Sequence, residues 1–173
     1  MSFTTSEKLQ IAMLCDLAKP EGHRELDFEF INRVVSNDDI WALSWKYPGL
    51  QLKVETPADV KLVIDILEMW DQIERSFVDL NKVDKIHVKA DSYHDHEPQF
   101  LGFDGNSETN LMAIARILTR DLGRWERFSE RELNSHFPSI DVYYRLLDIW
   151  RPIWEAKLKT VGPYELTAGE LIE

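Results

Sequence analysis

The chain has 173 residues, 44% hydrophobic and 29% charged, with a net charge of −11. That length and composition suit one globular domain over residues 1–173 with a real core, and they exclude disordered and low-complexity classes. The negative balance repels phosphate backbones, so nucleic acid is not an expected partner.

Thr4 with Glu7 three residues on reads as a capping box opening a first helix. Leu9, Ala12, Met13 and Leu17 are its expected buried stripe, and Pro20 with Gly22 stops it. A second helix is predicted over Leu26–Val35. Ser36-Asn37-Asp38 breaks it and leads into a short third helix over Asp39–Lys46, with Trp41 and Trp45 on one face. After the turn at Tyr47-Pro48-Gly49, Leu50, Leu52 and Val54 alternate with polar residues, the pattern of a short strand. Ile86 with Val88, or Phe100, Leu101 and Phe103, would supply its partner in a minor two-stranded piece.

Thr56-Pro57-Ala58-Asp59 is a helix start with an N-cap, a proline at the first position and an acid in the first turn. The helix is expected to run to about Leu80, apolar over most of its circumference, with one polar strip through Lys61, Asp65, Glu68, Gln72, Arg75 and Asp79. A helix this apolar is touched on several sides, so it reads as the central rod of a bundle. Residues 81–99 read as the least ordered segment. Residues 100–128 then give a loop and a long amphipathic helix with Leu111, Ile114, Ala115, Leu118, Leu122 and Trp125 inward. If that helix runs through Gly123, then Arg116, Arg120, Arg124, Arg127 and Arg131 form one stripe on its back. If Gly123 ends it, Arg127 and Arg131 leave the stripe. Residues 129–137 are a polar connection. Pro138-Ser139 opens a last long helix with a kink or restart at Pro152, and Thr167 with Glu170 caps a final turn. The fold expected is all-α: six to eight helices around residues 57–80.

No nucleophile elbow, phosphate loop or dinucleotide fingerprint occurs. His94-Asp95-His96-Glu97 is the one metal-like cluster, and its spacing matches no established ligand pattern; a polar surface loop with adventitious binding at His94 and His96 is the plainer reading. Asp104 to Glu108 is no calcium loop, because Thr109 and Ala115 stand where such a loop needs Gly and Glu. Asp104 or Asn106 instead caps the helix that follows, with Glu108 in its first turn. The arginine stripe reads either as a solvated helix back or as an anion or acidic-partner surface. Asp104, Glu108, Arg116, Arg124 and Arg145 together are the candidate binding set, since carboxylates and arginines can do acid–base or anion-orienting work.

Phe100-Leu101-Gly102-Phe103-Asp104, Glu108, Arg116, Gly123-Arg124-Trp125 and Phe128 resemble the YfbU family of small bacterial proteins. So do Ile64-Asp65-Ile66-Leu67-Glu68-Met69-Trp70 and the run Tyr143, Arg145, Leu147, Trp150. The resemblance spans roughly residues 6–172. It implies a helical, cytoplasmic, bacterial protein without an assigned chemistry. Arg116 and Arg124 fit the family pattern, whereas Arg120, Arg127 and the 82–97 segment depart from it.

A single cysteine, Cys15, permits no internal disulfide, and MSFTTSEKLQ lacks the layout of a signal peptide. With no apolar run of about eighteen residues, these features predict a cytoplasmic protein off the membrane. The leading expectation is a non-enzymatic interaction or regulatory protein, working as a homodimer and needing no cofactor. The alternative is a small-ligand-binding or hydrolase-like protein with a cleft at the five residues above.

Overall fold

The computed structural model describes residues 3–18, 25–91, 96–159 and 164–172. The chain packs as two compact units, Met1–Ala58 and Asp59–Glu173.

The first unit holds α1 (Thr5–Leu17), α2 (Phe28–Ser36), α3 (Ile40–Lys46) and a 3₁₀ turn over Pro48–Leu50. The Thr4–Glu7 capping box is present in full: Glu7 N–H donates to Thr4 Oγ1 and Thr4 N–H to Glu7 Oε2. Asp27 caps α2 through Phe30 N–H at 3.0 Å. The same carboxylate takes Lys46 Nζ at 2.9 Å, and that ammonium lies 4.1 Å from the Phe30 ring centroid. Lys46, then the Phe30 amide, hold the Asp27 carboxyl below its usual range. Phe30, Val34 and Val35 of α2 and Ile40 to Leu43 of α3 form this unit's core.

Two expectations are corrected here. The stripe assigned to the interior of α1 is open: Leu9, Met13 and Leu17 are exposed, and α1 has no buried residue. Ile11, Ala12 and Cys15 are its half-buried side. Periodicity identified the helix but could not say which of two apolar faces would be covered. Residues 50–54 form no strand either. Gln51 adopts a left-handed conformation (φ +49°) that turns the chain, and three alternating apolar residues with no ladder have nothing to hold them extended.

The second unit is built on α4 (Ala58–Asp79), 22 residues long. Val60, Val63, Ile66, Leu67, Met69 and Phe77 are buried along it, as the sequence predicts, but so are Glu74 and Ser76. The segment read as least ordered contains α5 (Lys82–Asp91). Asn81 starts it, its Oδ1 accepting from the amides of Val83 (2.9 Å) and Asp84 (3.0 Å), a side-chain cap that offsets the poor helix-forming composition.

Then come α6 (Thr109–Arg116), continued by one π-turn over Ile117–Asp121, a 3₁₀ turn at Glu126–Phe128, α7 (Ile140–Leu158) and α8 (Ala168–Ile172). α7 passes through Pro152 as one helix, the proline on its exposed side. Among the described residues the only β feature is an isolated parallel bridge between Phe103 and Asn134. The fold is all-α: the described residues form eight helices, and the minor strand pair is absent among them.

Phe100 is the hub of this unit's core. Its ring centroid lies 5.2 Å from Phe128, 5.8 Å from Phe103 and from Tyr143, and 6.3 Å from Trp70. Offset and edge-on pairs at such distances are each favourable beyond their buried area.

Candidate functional site

The loop before α6 and the loop before α7 are stitched together by backbone bonds, by Asn134 and by Glu108. Phe103 N–H donates to Leu133 O at 3.0 Å, and Ser135 N–H donates back to Phe103 O at 3.1 Å. Asn134 Oδ1 takes the amides of Gly105 (2.9 Å) and His136 (3.0 Å). Gly102 O accepts from the Tyr143 hydroxyl at 2.7 Å and lies 3.0 Å from Ser139 Oγ. Asp104 closes its own turn, accepting from Asn106 N–H (3.2 Å), Ser107 N–H (3.1 Å) and Ser107 Oγ (2.6 Å).

Glu108 stands at the N-cap position of α6 but caps a different helix. Its Oε1 accepts from the amides of Ser139 and Ile140, both at 2.8 Å, which are orphan donors at the start of α7. Its Oε2 accepts from Asp104 N–H and Ser139 Oγ, again at 2.8 Å. Four bonds occupy the lone-pair positions of a carboxylate, and a negative charge at a helix N-terminus is favourable in itself.

Burial is the largest single influence on Glu108 and pushes its pKa up. The donors from Asp104, Ile140 and Ser139 together outweigh it and leave the group below its ordinary 4.5. The Ser107 hydroxyl, chiefly, does the same for Asp104. Burial pushes the Tyr143 hydroxyl up, which keeps it a donor to Gly102 O.

A group with a depressed folded pKa contributes stability above its unfolded pKa and loses it as pH falls through the folded value. Unfolding free energy should therefore decline as pH is lowered from 4.5. Glu108→Gln should flatten that decline and, at neutral pH, lose about 1–3 kcal/mol through a misplaced amide facing two backbone donors. Urea titrations of both proteins at several pH values check it; an unchanged acid limb in the variant would contradict the assignment.

Of the five residues in the candidate set, the structure brings Asp104 and Glu108 together. Arg116 pairs with Glu132 at 3.6 Å, Arg145 Nε donates to Asp141 O on its own helix at 3.3 Å, and Arg124 is exposed, its amide reaching back to Leu118 O at 3.0 Å. The arginine stripe does not form, because Gly123 (φ +61°) and Trp125 (φ +46°) end the helix. Arg120 instead holds the carbonyls of Ser129 and Arg131, both at 2.9 Å. Arg127 Nε sits 3.3 Å from Asp71 Oδ1, as an ion pair without hydrogen-bond alignment. Arg131 grips Glu74 with two bonds of 2.7 Å. His94 lies outside the described residues, and His96 is exposed. Among the described residues no three His, Cys, Asp or Glu converge as a metal ion would need.

Sequence reasoning missed an apolar groove of about 780 Å³ on the second unit. α4 contributes Trp70 and Ile73, α7 contributes Val142, Leu146, Ile149 and Ile153, and α8 contributes Leu171 and Ile172. Leu101, Phe137, Val142, Ile149 and Ile172 on its walls stay 40–48% exposed. A contiguous apolar surface of this kind marks an interaction site more often than scattered single residues do. The α7 sequence held the signal, for Val142 and Ile149 widen its apolar face beyond the buried Tyr143, Leu147 and Trp150.

The fold and this site define an all-helical protein with two carboxylate-stitched loops beside an open apolar groove. The YfbU domain family matches the chain over residues 1–173, and the chain belongs to that family. It is similar to UPF0304 protein MJECS11 of Methanocaldococcus jannaschii, with 30% identity over 119 residues, 65% of this chain and 64% of that protein. The chain thus spans just under two thirds of that relative's length. The relative is archaeal, so the resemblance does not tie the chain to bacteria. Among the described residues no helix is long and apolar enough to cross a membrane.

Proposed function

We propose that the chain is a non-enzymatic interaction protein, working as a homodimer, that takes hold of an amphipathic helix of a partner protein in its apolar groove. The observation that carries this reading is the open face of α7. Val142, Leu146, Ile149 and Ile153 follow one another at spacings of four, three and four. That is the seam by which one helix packs on another, and helix-in-groove recognition uses such anchors. The face extends for about 17 Å, three helical turns. The two buried acids of the loop pair support the same reading from the other side, since their oxygens are spent on backbone and hydroxyl donors rather than turned to a substrate.

Nile red, a neutral apolar dye, is the probe. It should bind the native protein saturably, and an uncharged amphipathic helical peptide should displace it. Ile149→Glu, at a half-exposed position, should weaken dye binding at least tenfold with an unchanged circular dichroism spectrum. Equal binding by the variant, or a peptide that leaves the dye in place, removes the groove from the account.

A further inference from the structure

Residues 164–172 do little for the core and much for the groove. Only Leu166 among them is buried; α8 holds no buried residue, and Ile172 is 41% exposed. Yet Leu166, Glu170, Leu171 and Ile172 all line the groove. Five residues of helix do not persist by themselves, since isolated helices shorter than about 12–15 residues are marginal in water. α8 therefore exists because it is docked, and it lies against α5.

The docking bonds are few and mostly exposed. Leu166 N–H donates to the buried Ser76 hydroxyl at 2.7 Å, and Gln72 Nε2 donates to Tyr164 O, both partners projecting from α4. From α7, Lys157 Nζ donates to Glu165 O and pairs with Glu170 Oε2, each at 3.0 Å. Glu170 also completes the capping box with Thr167, so one carboxylate both starts α8 and ties it to α7. A segment with one buried apolar anchor and exposed fastenings opens locally, ahead of the helices it rests on.

We infer that residues 164–172 are a detachable wall of the groove, fastened by Ser76 and Lys157, that closes on the helix the groove takes. This rests on the groove reading above and supplies its moving part. Leu171 and Ile172 keep apolar surface open on the groove side. An occupant lying along α7 covers that surface only while the segment is docked. It binds the docked form better than the open one, and by linkage occupancy draws the wall shut. Ser76 and Lys157 do not line the groove; they act as positioning residues, through the segment they hold.

Hydrogen–deuterium exchange of the full chain, read by mass spectrometry, tests this. Amides of 164–172 should show at least tenfold less protection than those of α4 in the native protein. Ser76→Ala puts a better helix former into α4 and should speed exchange in 164–172 about fivefold, the worth of one hydrogen bond. Lys157→Met keeps the apolar stem and should speed it by a similar factor. An uncharged amphipathic helical peptide, at about ten times its dissociation constant, should slow exchange there about tenfold and leave α1 unchanged. Protection in 164–172 equal to that of α4 would overturn the detachable wall. So would a peptide that displaces Nile red yet leaves exchange in 164–172 unaltered, and the groove reading would survive both results. Unaltered exchange in both variants would overturn Ser76 and Lys157 as the fastenings. A native protein that binds neither dye nor peptide would remove the groove and its wall together.

Discussion

Gly102→Ala is expected to leave little folded protein. Gly102 sits at φ +90°, a conformation that costs an L side chain about 1–2 kcal/mol. The larger effect is steric. A Cβ there would lie 2.2 Å from Leu133 O, 2.3 Å from Leu133 C and 2.7 Å from Leu133 Cα. These are backbone atoms, so no rotamer change makes room. The two loops must part, and the Phe103–Leu133 bridge bond and the contacts of Ser139 and Tyr143 to Gly102 O go with them. Overpacking costs about 1–3 kcal/mol and each lost buried bond about 1 kcal/mol, so the sum reaches about 4 kcal/mol or more against a typical total of about 5–15. Gly123→Ala is the control: it shares the left-handed conformation (φ +61°), yet its Cβ would meet nothing within 4 Å. It should cost only about 1 kcal/mol. Soluble yield and urea midpoints compare the two, and near-equal midpoints would show that the close approach to Leu133 is not what requires glycine.

Glu74→Ala should cost about 3 kcal/mol, a fall of roughly 10 °C in melting temperature for a chain of this size. The carboxylate is buried on α4 and does two jobs. Its Oε1 accepts from Phe100 N–H at 2.8 Å, fixing the hub of the aromatic cluster, and both oxygens take the Arg131 guanidinium. Removing it leaves a buried amide without an acceptor. Arg131 keeps partial access to water and stays 4.9 Å from the Phe128 ring centroid, which is why the loss falls at the lower end of the range for a broken buried pair. Glu74→Gln retains an acceptor for Phe100 and should lose less. Thermal melts of the three proteins decide this, and equal losses for the Ala and Gln variants would mean the Phe100 bond contributes nothing.

The parts of this fold that were legible in the sequence are those set by residues close together along it. Thr4 with Glu7 and Thr167 with Glu170 each form their reciprocal bonds, because a capping box is complete within four residues. α4 was equally plain, since an apolar rod needs no knowledge of its neighbours to be recognised. The misreadings share a different cause. Asn81 starts a helix in a segment whose composition argues for a loop. Glu74 lies off the polar strip of α4 and is buried because Phe100 and Arg131, 26 and 57 residues on, arrive beside it. Glu108 resembles a first-turn acid of α6, yet it serves α7, 31 residues away. Gly123 left two outcomes open, and only packing chose between them. The groove and the bare side of α1 belong to this group too: period reveals an apolar face, never its cover.

The bond from Glu108 to the start of α7 also limits how this chain can be rewired. One side chain serves as the first peg of a helix it is not part of, so the loops at 102–108 and 133–140 act as a clasp rather than as connectors. New chain ends, inserted peptides or fusion joints placed in either loop would undo a helix on the far side of the clasp. A protein engineer seeking a tolerant site is better served by the exposed turn at Pro48-Gly49, where a glycine's added Cβ would meet nothing within 4 Å.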